Sequence, residues 1–179
     1  PMTTLERIEI KAMVDQFKIF KKSVLKKHDY ISVISFTHNV RILADSLQVH
    51  DVNFQNLITQ ISDASGGTAL YDAIFKGIEL AQSFSQVSVR KQVVTEFVTF
   101  TDGQDQHSSK SLDNVKTQVA KPGAANFNMI VMVVGQSGIP DMTAICKPKH
   151  AHLISSKNNT AEAIRSVFGK MTKIITKKK

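Results

Sequence analysis

A single cysteine, Cys146, stands among 179 residues, so no internal disulfide framework holds this chain and a hydrophobic core must. A lone thiol suits a reducing compartment, and the cytoplasm is the expected one. Tryptophan is absent and aromatics make up 7% of the residues. The basic stretches therefore lack the interleaved rings on which nucleobases stack, and nucleic acid is not an expected partner. No apolar run is long enough to span a bilayer, and no signal-peptide pattern opens the chain. There is no Walker loop, no G-x-G-x-x-G and no His/Cys spacing suited to zinc. Nucleotide and zinc chemistry thus have no support from motifs.

What is present is ordinary for a globular protein: 42% hydrophobic and 21% charged residues. The length suits one domain, expected over 1–176, followed by a basic tail at 177–179. The formal net charge is +8. The excess gathers at Lys18, Lys21, Lys22, Lys26 and Lys27, and again at Lys170, Lys173 and Lys177 to Lys179. These read first as a solvated helix face and a chain end, and second as an attraction for an acidic partner. The tripeptide Asn158-Asn159-Thr160 matches a glycosylation sequon, a pattern common by chance.

Periodicity places the elements. Thr3 or Thr4 caps a helix in which Leu5, Ile8, Ala12, Phe17, Phe20 and Val24 recur at helical spacing, to about Leu25. Tyr30 to Phe36 is a strand. Thr37-His38-Asn39 turns it back into a second, Val40 to Ala44, and so short a connection requires an antiparallel pair. Phe54, Leu57, Ile58 and Ile61 mark a short helix. A glycine loop follows, then a helix from about Ala69 to Phe84. Val93 to Phe100 is a near-continuous apolar strand, as expected of one covered on both faces. Leu112, Val115 and Val119 mark a helix ended by Pro122-Gly123. Met129 to Val134 is a second buried strand, with Met129 and Met132 in the core. A short helix at Met142 to Cys146, an edge strand at Ala151 to Ile154, and a last helix capped by Asn159 or Thr160 complete the chain. Such alternation predicts a mostly parallel sheet with helices on both faces and one antiparallel edge strand.

Two loops carry the chemistry. The strand Val93 to Phe100 stops at Thr101-Asp102-Gly103, which leaves a carboxylate just past its carboxyl end. In open α/β sheets that rim is where ligands bind. Upstream, Ser65-Gly66-Gly67-Thr68 sets a hydroxyl at a glycine loop opening a helix. Alone, Thr68 is a helix cap and Asp102 a turn residue. Together they are two hard oxygen donors on one rim, the kind that suits Mg²⁺ with its retained waters.

These residues also carry a resemblance. GGTALYDAI at Gly66 to Ile74 and FVTFTDG at Phe97 to Gly103 resemble the second and third motifs of the von Willebrand factor type A domain, in order, separation and surrounding elements. The resemblance implies a Rossmann-like three-layer sandwich with a metal-ion-dependent adhesion site for Mg²⁺ or Mn²⁺ at its top. By it, Thr68 supplies a hydroxyl ligand and Asp102 a carboxylate, directly or through water, and Asp72 supports the site structurally. It implies a non-enzymatic binding module whose protein partner offers an acidic side chain to the metal.

One departure matters. The family's first motif, Asp-x-Ser-x-Ser at the end of a mid-sheet strand, has no match here. The expectation is a domain incomplete at its amino-terminal side, a weak or empty metal site, and exposed strand edges that invite self-association or strand addition. Lesser candidates remain. Asp105 flanks the metal or serves the loop surface. His107 lines the rim or is a solvated loop residue; with Asp102 it would be the basis of a metal-assisted hydrolase, the least favoured reading. His38, His150 and His152 are scattered, and Cys146 is a small buried hydrophobe.

Overall fold

Strands and helices alternate along the chain: α1 (Thr4–Ser23), β1 (Tyr30–Phe36), β2 (Val40–Gln48), a 3-10 turn (Val49–Asp51), α2 (Phe54–Ser62), α3 (Leu70–Val87), β3 (Thr95–Thr101), α4 (Leu112–Ala120), β4 (Phe127–Val134), α5 (Ile139–Ile145), β5 (Ala151–Ser156) and α6 (Ala161–Thr176). The computed structural model describes residues 4–62, 67–87, 94–121 and 127–177. The expected cap at Thr3, the start of the strand at Val93, the loop residues Ser65 and Gly66, and the Pro122-Gly123 stop lie outside that set. Every expected element is present among the described residues. The boundaries move by a few residues, most at β2, which runs on to Gln48 instead of ending at Ala44. That extension is irregular. Register shifts fall between Ile31 and Ile34, and Ser46 takes a left-handed φ of 52°. Its amide donates to the Ser32 hydroxyl at 2.9 Å, a side-chain bond in place of a ladder bond.

β4 organises the core. It pairs in parallel with β3 on one side and β5 on the other, Val131 facing Thr99 and Leu153. Strand alternation sends its side chains to opposite faces. Met129, Val131 and Val133 meet Leu70, Ile74 and Ile78 of α3, Val115 and Val119 of α4, and Met142 and Ile145 of α5. Ile130, Met132 and Val134 meet Ile164, Val167, Phe168 and Met171 of α6, with Ala12 of α1 and Val24 just past it. Helix, sheet and helix thus form three layers. Caps at the helix starts agree with the sequence. Thr160 rather than Asn159 receives the Ala163 amide at the head of α6, and Ser111 with Asn114 forms a reciprocal capping box at α4.

One expectation needs correction. The sheet is not single: β1 and β2 form an antiparallel hairpin separate from the parallel sheet β3-β4-β5. The reason is local. Among the described residues no strand lies between β1 and β3, so their edges face one another across a cleft of about 1710 Å³.

α3 fixes how the two pieces are oriented. At one end of β1 the Tyr30 ring lies 5.1 Å from that of Phe84. At the other, the Ala69 amide donates to the Thr37 carbonyl. β1 therefore runs antiparallel to α3. The Phe97 ring of β3 covers Gly77 mid-helix so closely that a Cβ there would not fit. Beyond the end of β3, the amides of Gln106 and His107 donate to the Thr68 carbonyl at 2.8 and 3.1 Å. β3 also runs antiparallel to α3, so β1 and β3 are parallel to each other.

Candidate functional site

The carboxyl ends of β1, β3 and β4 open onto one rim, built from the Thr37 turn, the Gly67-Thr68 approach to α3, the loop 102–111 and the Gly135 turn. Gly135 has φ 92°, a conformation an L side chain rarely adopts, and a Cβ on it would stand 3.0 Å from the Asp102 carbonyl. The ring of His107 packs directly against Gly67, leaving no room for any side chain there. These close approaches draw the loops after β3 and β4 and the start of α3 together.

Two carboxylates lock the loop after β3 onto the head of α3. Asp105 accepts from the Tyr71 amide at 3.1 Å, and from the amide and hydroxyl of Ser108. Ser108 in turn accepts from the Asp72 amide at 2.9 Å. Asp72 accepts from the amides of Ser109 and Lys110, each at 2.9 Å, and from the Ser109 hydroxyl at 3.2 Å. Carboxylates near a helix amino terminus also sit well in its dipole. Asp72 is thus a structural support, as its position in the motif implied. Asp105 is a brace between loop and helix, a role its sequence reading did not include.

Tyr71 extends this framework. Its hydroxyl donates to Asp141 Oδ2 at 2.8 Å. Burial, that hydrogen bond and the charges of Asp141 and Asp105 together raise its pKa above the ordinary tyrosine value. It is a fixed donor, unsuited to act as a base.

Thr68 and Asp102 differ from these residues. Both line the rim end of the cleft, beside Thr37 and Thr101. Asp102 is exposed and Thr68 half-buried. Neither the Thr68 hydroxyl nor the Asp102 carboxylate is committed to a hydrogen bond with a described residue. The sequence-predicted pair is therefore on one rim, with its side-chain oxygens uncommitted among the described residues. In kind these hard donors fit Mg²⁺ or Mn²⁺; in number two fall short of an octahedral shell without waters or further ligands. Among the described residues no group of three or more His, Cys, Asp or Glu side chains converges. His107 is exposed against Gly67, while His150 is held by the Val119 carbonyl at 2.9 Å, on another part of the surface. Cys146 packs at the edge of the core, and burial pushes its thiol up to about 12. No described helix is long and apolar enough to cross a membrane.

No family model matches the chain, and no curated protein does. Solved structures do share its fold. Two structures of proximal thread matrix protein 1 from the mussel byssus align with a TM-score of 0.66 at 14% identity, over 94% of this chain and 43% of theirs. One is a second crystal form, and the other has its MIDAS motif, the metal-ion-dependent adhesion site, occupied by zinc. The SpRpn10 VWA domain aligns with a TM-score of 0.56 at 12% identity, over 93% of this chain and 82% of that one. At such identities the likeness is one of fold: the chain has the α/β fold of von Willebrand factor A domains. It spans less than half the length of the byssus chains it aligns with.

Proposed function

We propose that the chain is a protein-binding module whose rim holds a divalent cation through Thr68 and Asp102, the cation bridging to an acidic side chain of the partner. One observation carries the proposal: on one rim, neither the Thr68 hydroxyl nor the Asp102 carboxylate bonds to a described residue, while the neighbouring carboxylates Asp72 and Asp105 each accept three hydrogen bonds. The fold supports it, since a neighbour of this fold holds zinc at its adhesion motif. A bound cation would supply an electrophilic centre for a carboxylate. Thr68 and Asp102 would fix its position, and the locked loop 105–110 would keep Asp102 from moving away.

The test uses the metal alone. Mn²⁺ binding, followed by water-proton relaxation, should be weak in the chain, be outcompeted by Mg²⁺ and fall at least tenfold in Asp102→Ala and in Thr68→Ala. Unchanged binding in both variants would refute the assignment.

A second reading rests on the shortage of ligands, since no group of three candidate metal-binding side chains converges among the described residues. In it the module binds partners without metal, through the basic face of α1, where Lys21 lies 3.9 Å over the Phe54 ring and Lys22 is exposed. Binding of polyglutamate that survives EDTA and weakens in Lys22→Glu would favour this reading.

A further inference from the structure

The two helical layers carry their charge differently. On the layer of α3 and α4, Lys76 pairs with Glu79 at 3.5 Å and Lys116 with Asp113 at 2.8 Å. On the other layer α1 and α6 pack side by side, and there the cations are in surplus. Lys11 pairs with Asp15 at 2.8 Å. Lys18 and Lys22 of α1 and Arg165 and Lys173 of α6 are exposed, and none forms an ion pair with a described residue. Helical spacing sets Lys11, Lys18 and Lys22 on one stripe of α1. The two helices share one field: the hydrogen bond from Lys11 holds the Asp15 carboxyl below the usual carboxylate range, helped by the charges of Lys11, Lys18 and, from α6, Arg165. Two isoleucines stand beside this stripe. Ile8 is 49% exposed and Ile19 57%, three turns and about 16 Å apart along α1.

We propose that the face made by α1 and α6 docks on an anionic lipid bilayer. The occupant follows from the chemistry. Lysine ammonium groups on flexible stems answer to charge density rather than to the geometry of one acceptor. A plane of anionic headgroups supplies that density across both helices at once. Isoleucines so far apart cannot form the clustered anchor of a protein interface. Each can still sink separately to the boundary between headgroups and acyl chains, while the lysine stems reach back to the phosphates. The opposite layer, with its cations paired, has no such surplus, so the molecule has one side to present. The bilayer is touched and not crossed, since no described helix is long and apolar enough to span it. The inference does not depend on a cation at the rim.

The experiment measures co-sedimentation of the chain with vesicles of phosphatidylcholine, either alone or with about one-third phosphatidylserine. EDTA is present throughout, so that no divalent cation bridges protein to headgroup. The expected result is binding at least tenfold tighter to the vesicles that contain phosphatidylserine. It should weaken about fivefold in Lys18→Gln and in Lys173→Gln, which lie on different helices. Lys116→Gln, on the opposite layer, should bind as the parent does. Ile19→Ser should weaken vesicle binding several-fold and leave polyglutamate binding unchanged. Lys18, Ile19 and Lys173 are all exposed, so these variants keep the fold. Equal binding to the two kinds of vesicle would overturn the proposal, and so would an equal loss in Lys116→Gln. Vesicle binding untouched in Ile19→Ser would mean attraction to any polyanion and would assign the face to an acidic polypeptide, again overturning it.

Discussion

β4 and β1 are both apolar strands, and they fare very differently. Met129 to Val134 of β4 are each at most 1% exposed. In β1, Ile31, Val33, Ile34 and Phe36 are all only half-buried, and Tyr30 is 48% exposed. Composition does not separate the two. Neighbours do: β4 has a strand on each side and helices on both faces, whereas β1 has β2 on one side and the cleft on the other. Burial in a sheet is conferred by flanking strands as much as by hydrophobicity, so a half-completed sheet leaves good strand residues with unspent apolar surface.

The most damaging way to probe this contrast is to truncate matched residues. Ile130→Ala in β4 should cost ~2–5 kcal/mol, as for other fully buried aliphatic side chains. Ile31→Ala in β1 should cost under about 1 kcal/mol, because little is packed on it. Urea denaturation of both variants measures the difference. Equal costs would mean that the cleft is closed in solution.

A second contrast separates two aspartates on the same rim. Asp72→Ala removes the acceptor for two amides and a hydroxyl and should cost ~1–3 kcal/mol. Asp102→Ala removes no side-chain bond to a described residue and should stay within about 0.5 kcal/mol of the parent. Thermal melts of the two variants decide the matter, and a large loss in Asp102→Ala would show that this residue is structural. Between these two falls the loss of the α6 cap. Thr160→Ala leaves the Ala163 amide without its 3.2 Å acceptor and should cost ~1 kcal/mol by the same melts.

Much of this was legible in the residues. The buried run Met129 to Val134 is a strand, Ala151 to Ile154 lies at the sheet's edge, and the Thr37-His38-Asn39 turn makes a hairpin, all as patterning implied. The arrival of Thr68 and Asp102 on one rim was also legible, because both follow from where a strand ends and a helix begins. The division into two sheets was less so. Periodicity reports how one strand is covered, and it cannot report which neighbour is absent. The role of Asp105 was hidden as well. Its bonds to Tyr71 and Ser108 depend on the path of the loop rather than on local spacing, and an acidic residue close to Asp102 in sequence looks like a partner in metal binding. One signal of it did stand in the sequence: the serines at 108 and 109, small donors suited to bracing a helix head.

Cys146 gives the gentlest test of the closed half, one that leaves stability at neutral pH untouched. Its thiol packs beside the core under α5, and burial raises it from 9.0 to about 12. The unfolded thiol therefore loses its proton first. Below pH 9.0 both states hold the proton and this group adds no pH dependence. Between 9.0 and about 12 the unfolded state binds fewer protons, so stability falls as pH rises. Tyr71, raised above 10.0, acts in the same direction, so the informative comparison is with Cys146→Ala, whose alkaline decline should be shallower. Thiol reactivity offers the same reading without unfolding the chain. At pH 8 the native thiolate fraction should lie well below that of the unfolded chain, and a disulfide reagent should modify the native protein correspondingly slowly. Fast modification would mean that the core edge at α5 opens as readily as the cleft beside β1, and the contrast between the two halves would collapse.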